Sequence, residues 1–212
     1  MIKAILFDRD GVIIDTEPIH IKSATYAFKR LGIKINKKEQ KSLVARHPID
    51  YVKDFKKKYD FSETEFRKFQ KENYQKNLHK AHLIMSNIRL IKRLSKKGYK
   101  LALTTTSERS TSLKILKQAK LENILKIIIA FGDYEHRKPS PDPYLVTAKK
   151  LKVNPKDCLV IEDSDVGVQA AKAAGMKCIA IPTSTTKDKD LSKADLILKS
   201  ADKITESLIQ SL

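Results

Sequence analysis

The chain opens on an apolar run over 2–7, broken only by Lys3, and the run stops at Asp8-Arg9-Asp10-Gly11. A run this short, rich in isoleucine and bounded by glycine, reads as a buried strand. The spacing then turns helical. A helix is predicted over 17–31, capped by Asp15 or Thr16 and ended by Gly32. Residues 33–85 keep an amphipathic helical pattern with no strand. Pro48 opens one helix through Val52 and Phe55, and Ser62 with Glu65 opens another that carries Phe66, Phe69 and Tyr74. From Ser86 the rhythm alternates. Ile88, Ile91 and Leu94 line a helix, and 101–103 is a strand running into four hydroxyl residues at 104–107. Leu113, Leu116 and Ala119 line the next helix, and a strand follows over 127–131. Asp142-Pro143 opens a helix bearing Leu145, Ala148 and Leu151, and a strand over 158–161 ends in Glu162-Asp163. Val166, Ala170 and Ala174 form a helical stripe closed by Gly175. Strands over 178–181 and 196–198 and a helix from about residue 202 complete the chain.

Strands alternating with helices predict an α/β fold, a doubly wound parallel sheet covered on both faces. The helical stretch interrupts it after the first strand. The expected division is therefore a catalytic core of 1–16 and 86–212 and an inserted α-helical cap of 17–85, placed over that edge of the sheet. In such sheets the ligand lies at the carboxyl ends of the strands. Polar clusters fall there: Asp8 and Asp10, Thr105 and Thr106, Lys138, and Glu162 with Asp163.

Composition bounds the reading. The 212 residues are 41% hydrophobic and 32% charged, enough for one good core plus an insertion. No stretch approaches the ~20 apolar residues of a membrane span, and the first run lacks a signal-peptide layout, so a cytoplasmic location with no membrane partner is expected. Cys158 and Cys178 fall in predicted buried strands and read as reduced core thiols. The net charge of +18 is spread along the chain, with acids between the lysines and no aromatic-interleaved basic motif. That pattern fits solvation and attraction of anionic small molecules better than nucleic-acid binding.

Two carboxylates at the exit of a buried strand are costly unless paired. Strand alternation puts Asp8 and Asp10 on one side and Arg9 on the other, and a divalent cation is a natural partner for two oxygen ligands. Taken singly, each cluster also has an ordinary explanation. Asp-x-Asp-Gly is a polar turn, Thr105-Thr106 a second one, Lys138 a loop lysine, and Glu162-Asp163 an acidic helix start. Four of them at successive strand ends change the balance.

Together, Asp8-Arg9-Asp10-Gly11-Val12, the Thr105 strand end, Arg137-Lys138-Pro139-Ser140-Pro141-Asp142 and Glu162-Asp163-Ser164-Asp165-Val166-Gly167 resemble the four motifs of the haloacid dehalogenase-like (HAD) hydrolases, in the same order over nearly the whole chain. Asp15-Thr16-Glu17-x-x-His20 is similar to the beta-phosphoglucomutase-like branch, which carries a helical cap. The resemblance implies a Mg2+ enzyme acting on a small phosphorylated metabolite. Asp8 would be the nucleophile that forms an aspartyl-phosphate, and Asp10 the general acid/base. Lys138 would neutralise charge, and Thr105 and Thr106 would bind phosphate. The metal would take Asp8, the backbone carbonyl of Asp10, Asp163, and Glu162 directly or through water. His20 and Arg46 are the hinge and cap candidates.

Four features depart from the family pattern. Arg9 replaces an apolar residue, Arg137 a glycine, and Met85-Ser86-Asn87 a Pro-Gly turn. The cap stretch Ala45-Arg46-His47-Pro48 lacks the glycine and the placed arginine with which sugar-phosphate mutases grip a second phosphate; Pro48 takes the arginine's place and Gln70 that of a cap lysine. A mutase needs that second cationic pocket, so a phosphatase of small phosphate monoesters, sugar phosphates among them, ranks ahead of a beta-phosphoglucomutase-type mutase. The non-enzymatic alternative is a basic binding module that kept the fold and lost catalysis.

Overall fold

The computed structural model describes residues 1–44 and 46–212. It divides into two compact units, Met1–Asp15 with Leu83–Leu212, and Thr16–His82.

The first unit is built on β1 (Ala4–Phe7), with β2 (Ile14–Asp15) just beyond it. The inserted unit holds α1 (Glu17–Arg30), α2 (Lys37–Lys41), α3 (Pro48–Lys56) and α4 (Glu63–Asn77). The chain returns through β3 (His82–Leu83) and α5 (Met85–Lys96) to β4 (Lys100–Thr104), α6 (Arg109–Ala119) and β5 (Ile127–Ile129). It continues with α7 (Asp142–Leu151), β6 (Cys158–Glu162), α8 (Asp165–Ala173), β7 (Lys177–Ala180), β8 (Leu196–Ile197) and α9 (Glu206–Gln210).

The main sheet runs β5-β4-β1-β6-β7-β8, and each pair is parallel. β1 is central and buried along its whole length, which is why it is apolar on both faces. On one face Ala4, Leu6, Ala102, Val160 and Cys178 pack with Tyr144, Ala148 and Leu151 of α7 and Val168, Ala170 and Ala171 of α8. The α/β fold with a parallel sheet is as expected. Both cysteines are buried and free.

Several elements differ from expectation for physical reasons. In α6 the buried stripe is Ser112, Ile115, Leu116 and Ala119, an i, i+3, i+4, i+7 set, and Leu113 is exposed. In α7 the same spacing selects Tyr144, Thr147, Ala148 and Leu151, so Leu145 faces outward. Phe131 lies past the end of β5, exposed. Thr16 is the α1 cap position, but its backbone is helical and its side chain makes no capping bond. β3, a two-residue strand, falls within the stretch read as mostly helical and without a strand.

Within the inserted unit an aromatic cluster replaces a sheet. The Phe28 ring lies 4.6 Å from that of Phe55 and 4.5 Å from that of Phe66. Such pairs add about 0.5–1.5 kcal/mol each beyond simple burial. Ser62 accepts from Glu65 N and caps α4, and Asn36 with Glu39 forms a full capping box on α2.

Candidate active site

Sheet register brings the site together. Phe7 pairs with Leu103 of β4 and Ile161 of β6, so the next residues, Asp8, Thr104 and Glu162, form a row at the carboxyl ends of three adjacent strands. The Asp8 amide continues the ladder, donating to Ile161 O at 3.1 Å.

Lys138, from the loop before α7, lies under this row. Its Nζ donates to Asp8 Oδ1 at 2.6 Å, Glu162 Oε1 at 2.7 Å and Tyr144 Oη at 2.8 Å, and the Thr104 carbonyl is 3.4 Å away. Tyr144 Oη in turn donates to Glu162 Oε1 at 2.8 Å. The other Glu162 oxygen accepts from the amides of Asp163 and Ser164 and from Ser164 Oγ. All four side chains are buried. A buried ion set like this is costly to leave half-satisfied, and the hydrogen bonding of Glu162 shows how it is held.

The electrostatics divide the two acids. Burial pushes Asp8 up to about 7; the Lys138 charge opposes the rise, and the Glu162 and Asp10 carboxylates add to it. Burial acts the same way on Glu162, but the Lys138 charge and hydrogen bonds outweigh it and hold this carboxyl low. Burial also disfavours charge on Lys138, yet Asp8 and Glu162 together keep its pKa above the ordinary lysine value.

Asp163 completes a cluster. Carboxylate oxygens of Asp8, Glu162 and Asp163 lie within 4.8 Å of one another. Thr186 Oγ1 donates to Asp163 Oδ2 at 3.3 Å. Two glycines leave room for these acids. A Cβ at Gly11, whose φ is +74°, would sit 1.9 Å from Asp163 Oδ2, and one at Gly167 would sit 1.8 Å from Glu162 Oε1. Three buried carboxylates facing one ammonium leave negative charge over, and all the donors are hard oxygens. The set therefore fits a small divalent cation of the Mg2+ type.

Asp10 lies just beyond the strand, in a turn. Its carboxylate takes both Nε (3.1 Å to Oδ2) and Nη2 (2.9 Å to Oδ1, 2.8 Å to Oδ2) of Arg9. Alternation had placed Arg9 on the opposite side, facing away. It fails because β1 ends at Phe7 and the Arg9 carbonyl already accepts turn bonds from Ile13 and Ile14. Thr105 Oγ1 accepts from the Ser107 amide at 3.1 Å, and Thr106 is half-buried beside it.

The remaining candidates belong to the inserted unit. His20 stacks on Tyr74 with centroids 4.3 Å apart. Arg46 Nη2 pairs with Asp54 Oδ2 at 2.7 Å, and Gln70 is buried against the Tyr51 hydroxyl. Ala45, part of the stretch compared with the mutases, lies outside the described residues. Sequence reasoning missed Tyr144, Ser107, Ser112 and Thr186. The i, i+4 spacing of Tyr144 to Ala148 and the hydroxyl run over 104–107 that holds Ser107 were the available signals.

Gly167→Ala is expected to displace the Glu162 carboxylate. The overpacking should cost about 1–3 kcal/mol in urea denaturation, with a loss of turnover to match.

The parallel sheet thus carries buried acids and a lysine together at the carboxyl ends of its central strands. The chain belongs to the haloacid dehalogenase-like hydrolases, whose family model matches residues 5–181. It is 32% identical to the phosphorylated carbohydrates phosphatase of Thermotoga maritima, over 84% of this chain and 83% of that protein. Its fold follows the crystal structure of CbbY from Rhodobacter sphaeroides in complex with phosphate (TM-score 0.83, 25% identity, 96% of each chain). It also follows beta-phosphoglucomutase from Clostridium difficile (TM-score 0.81, 27% identity, 100% of this chain and 96% of that one). These similarities support a hydrolase enzyme. Among the described residues no helix is long and apolar enough to cross a membrane.

Proposed function

We propose that this hydrolase is a Mg2+-dependent phosphatase of small phosphate monoesters, sugar phosphates among them, that works through a phosphoryl group carried on Asp8. The observation that carries the reading is the Lys138 ammonium bound at once to Asp8 and Glu162, beside Asp163, at the carboxyl end of β1.

A carboxylate attacks a phosphate dianion poorly because like charges repel. Lys138 offsets that repulsion from below, in a site where burial strengthens its charge. Asp8 then attacks phosphorus as the bond to the leaving oxygen breaks. Asp10 gives a proton to that oxygen. It next takes one from the water that attacks the phosphoryl group, releasing inorganic phosphate and restoring Asp8. Thr105 and Thr106 donate hydrogen bonds to phosphate oxygens. Bound by Asp8, Asp163, the Asp10 carbonyl and, directly or through water, Glu162, Mg2+ would supply positive charge for those oxygens. Thr16–His82, with His20 and Arg46, is assigned the role of a substrate-selecting cap.

Water is favoured over a second sugar hydroxyl as acceptor. By sequence pattern Pro48 takes the place of the mutases' cap arginine and Gln70 that of a cap lysine, and within their own unit Arg46 and Gln70 are engaged by Asp54 and Tyr51. A panel of phosphate esters tests the reading, together with beta-glucose 1-phosphate supplied with a bisphosphate primer. Release of inorganic phosphate supports it; glucose 6-phosphate formed without inorganic phosphate would favour the mutase. Turnover is expected to vanish in EDTA and return with Mg2+, and full activity in chelator would remove the metal from the account.

A further inference from the structure

Among the described residues Arg9 is the largest fully buried side chain, 1% exposed. A buried arginine is seldom retained for stability alone, because a well-packed apolar residue of similar volume is often as good or better. Its surroundings suggest what it does instead. Nη1 donates to Ser112 Oγ at 3.2 Å, and Ser112 in turn donates to the Glu108 carbonyl at the start of α6. Nη2 donates to Ser107 Oγ at 2.6 Å. Two hydroxyls from other segments thus fix the guanidinium plane, and its Nε/Nη2 edge grips the Asp10 carboxylate. Ser107 Oγ closes the ring by donating to Asp10 Oδ2 at 2.9 Å.

The Asp10 side chain is 27% exposed and sits on a turn, followed at once by Gly11 in a left-handed conformation. A short carboxylate at such a place has several rotamers open to it. A fork that engages both of its oxygens selects one of them.

We propose that Arg9 is a positioning residue that aims the Asp10 carboxyl at the leaving-group oxygen, with Ser107 and Ser112 as the anchors that fix its direction. The inference rests on the reading of Asp10 as proton donor and adds what that reading lacks, a reason for Asp10 to point one way. Misaiming a proton donor costs rate only where the leaving oxygen needs the proton. The signature of Arg9 is therefore dependence on the leaving group.

The test is kcat/KM in Mg2+ for two esters of similar size, benzyl phosphate, which leaves as a strongly basic alkoxide, and p-nitrophenyl phosphate, which leaves as a stabilised phenolate. This ratio reports the steps through alcohol release. For Arg9→Met the expected loss is about 10- to 100-fold on benzyl phosphate and within about threefold on p-nitrophenyl phosphate, the selectivity of impaired acid catalysis. Equal losses on both esters, or no loss on benzyl phosphate, would overturn the proposal. A purely structural arginine gives the equal-loss result.

Asp10→Asn in the same assay separates the two claims. If it shows no such selectivity, the role of Asp10 fails and the proposal falls with it. If Asp10→Asn is selective and Arg9→Met is not, only the role of Arg9 fails. Should Arg9→Met not fold, Ser112→Ala removes an anchor and leaves Arg9 and Asp10 in place. A smaller loss confined to benzyl phosphate then supports the proposal, and an unchanged ratio of the two esters overturns it.

Discussion

Lys138→Met is expected to lower kcat/KM by at least about a thousandfold, because it removes the ammonium bound to Asp8, which offsets charge between that carboxylate and an incoming phosphate. The fold should suffer as well. Lys138 is the shared partner of two buried carboxylates, and removing one member of a buried ion set costs about 3–5 kcal/mol. The loss depends on pH in a defined direction. Without the ammonium, burial raises the Glu162 carboxyl that Lys138 now holds low. The folded variant then binds protons more tightly than the unfolded chain, so its deficit grows as pH rises. Urea denaturation of the metal-free proteins at about pH 5 and pH 8 should show the larger gap at the higher pH.

Asp8→Asn is the second large effect. Turnover should fall by about ten-thousandfold, since an amide neither attacks phosphorus nor carries a phosphoryl group that water can remove. Stability should move the other way with pH. In the metal-free fold Asp8 is raised from 3.8 to about 7. A carboxyl raised by folding gives stability that is fully present below its unfolded pKa and lost as pH climbs through the folded one. Between about pH 4 and pH 8 the wild type should therefore lose on the order of 4 kcal/mol relative to Asp8→Asn. Glu162, held low, contributes with the opposite sign and titrates together with Asp8 around Lys138, so the difference between the two proteins reports the response of the pair to loss of the Asp8 charge. A difference that stays flat across this range would show that Asp8 is ionised in the fold without a metal.

Most of the architecture was legible because strand and helix periods differ so clearly outside the inserted stretch. β1, β4 and β6 are short apolar runs that end in hydroxyl or acidic residues, and the structure aligns those ends in a row. Asp8, Glu162, Asp163 and Lys138 come together as the motif order implied. Two of the errors share one cause. Where two overlapping stripes both carried apolar residues, as with Leu113 against Ser112 and Leu145 against Tyr144, hydrophobicity favoured the leucines and the structure buries the polar members. Those polar residues are the ones that serve the site: Ser112 holds Arg9, and Tyr144 bridges Lys138 and Glu162. The direction of Arg9 was beyond reach for a different reason. Alternation holds only while the strand lasts, and β1 ends two residues earlier. Nor did anything in the sequence join Thr186 to Asp163, 23 residues away.

The most direct test of the account is a rapid acid quench during turnover of a 32P-labelled phosphate ester with Mg2+ present, followed by peptide mapping. The account predicts a transient label on the peptide that contains Asp8, released by hydroxylamine and absent from Asp8→Asn. Inorganic phosphate formed at full rate with no label on the protein at any time, and Asp8→Asn turning over like the wild type, would contradict it.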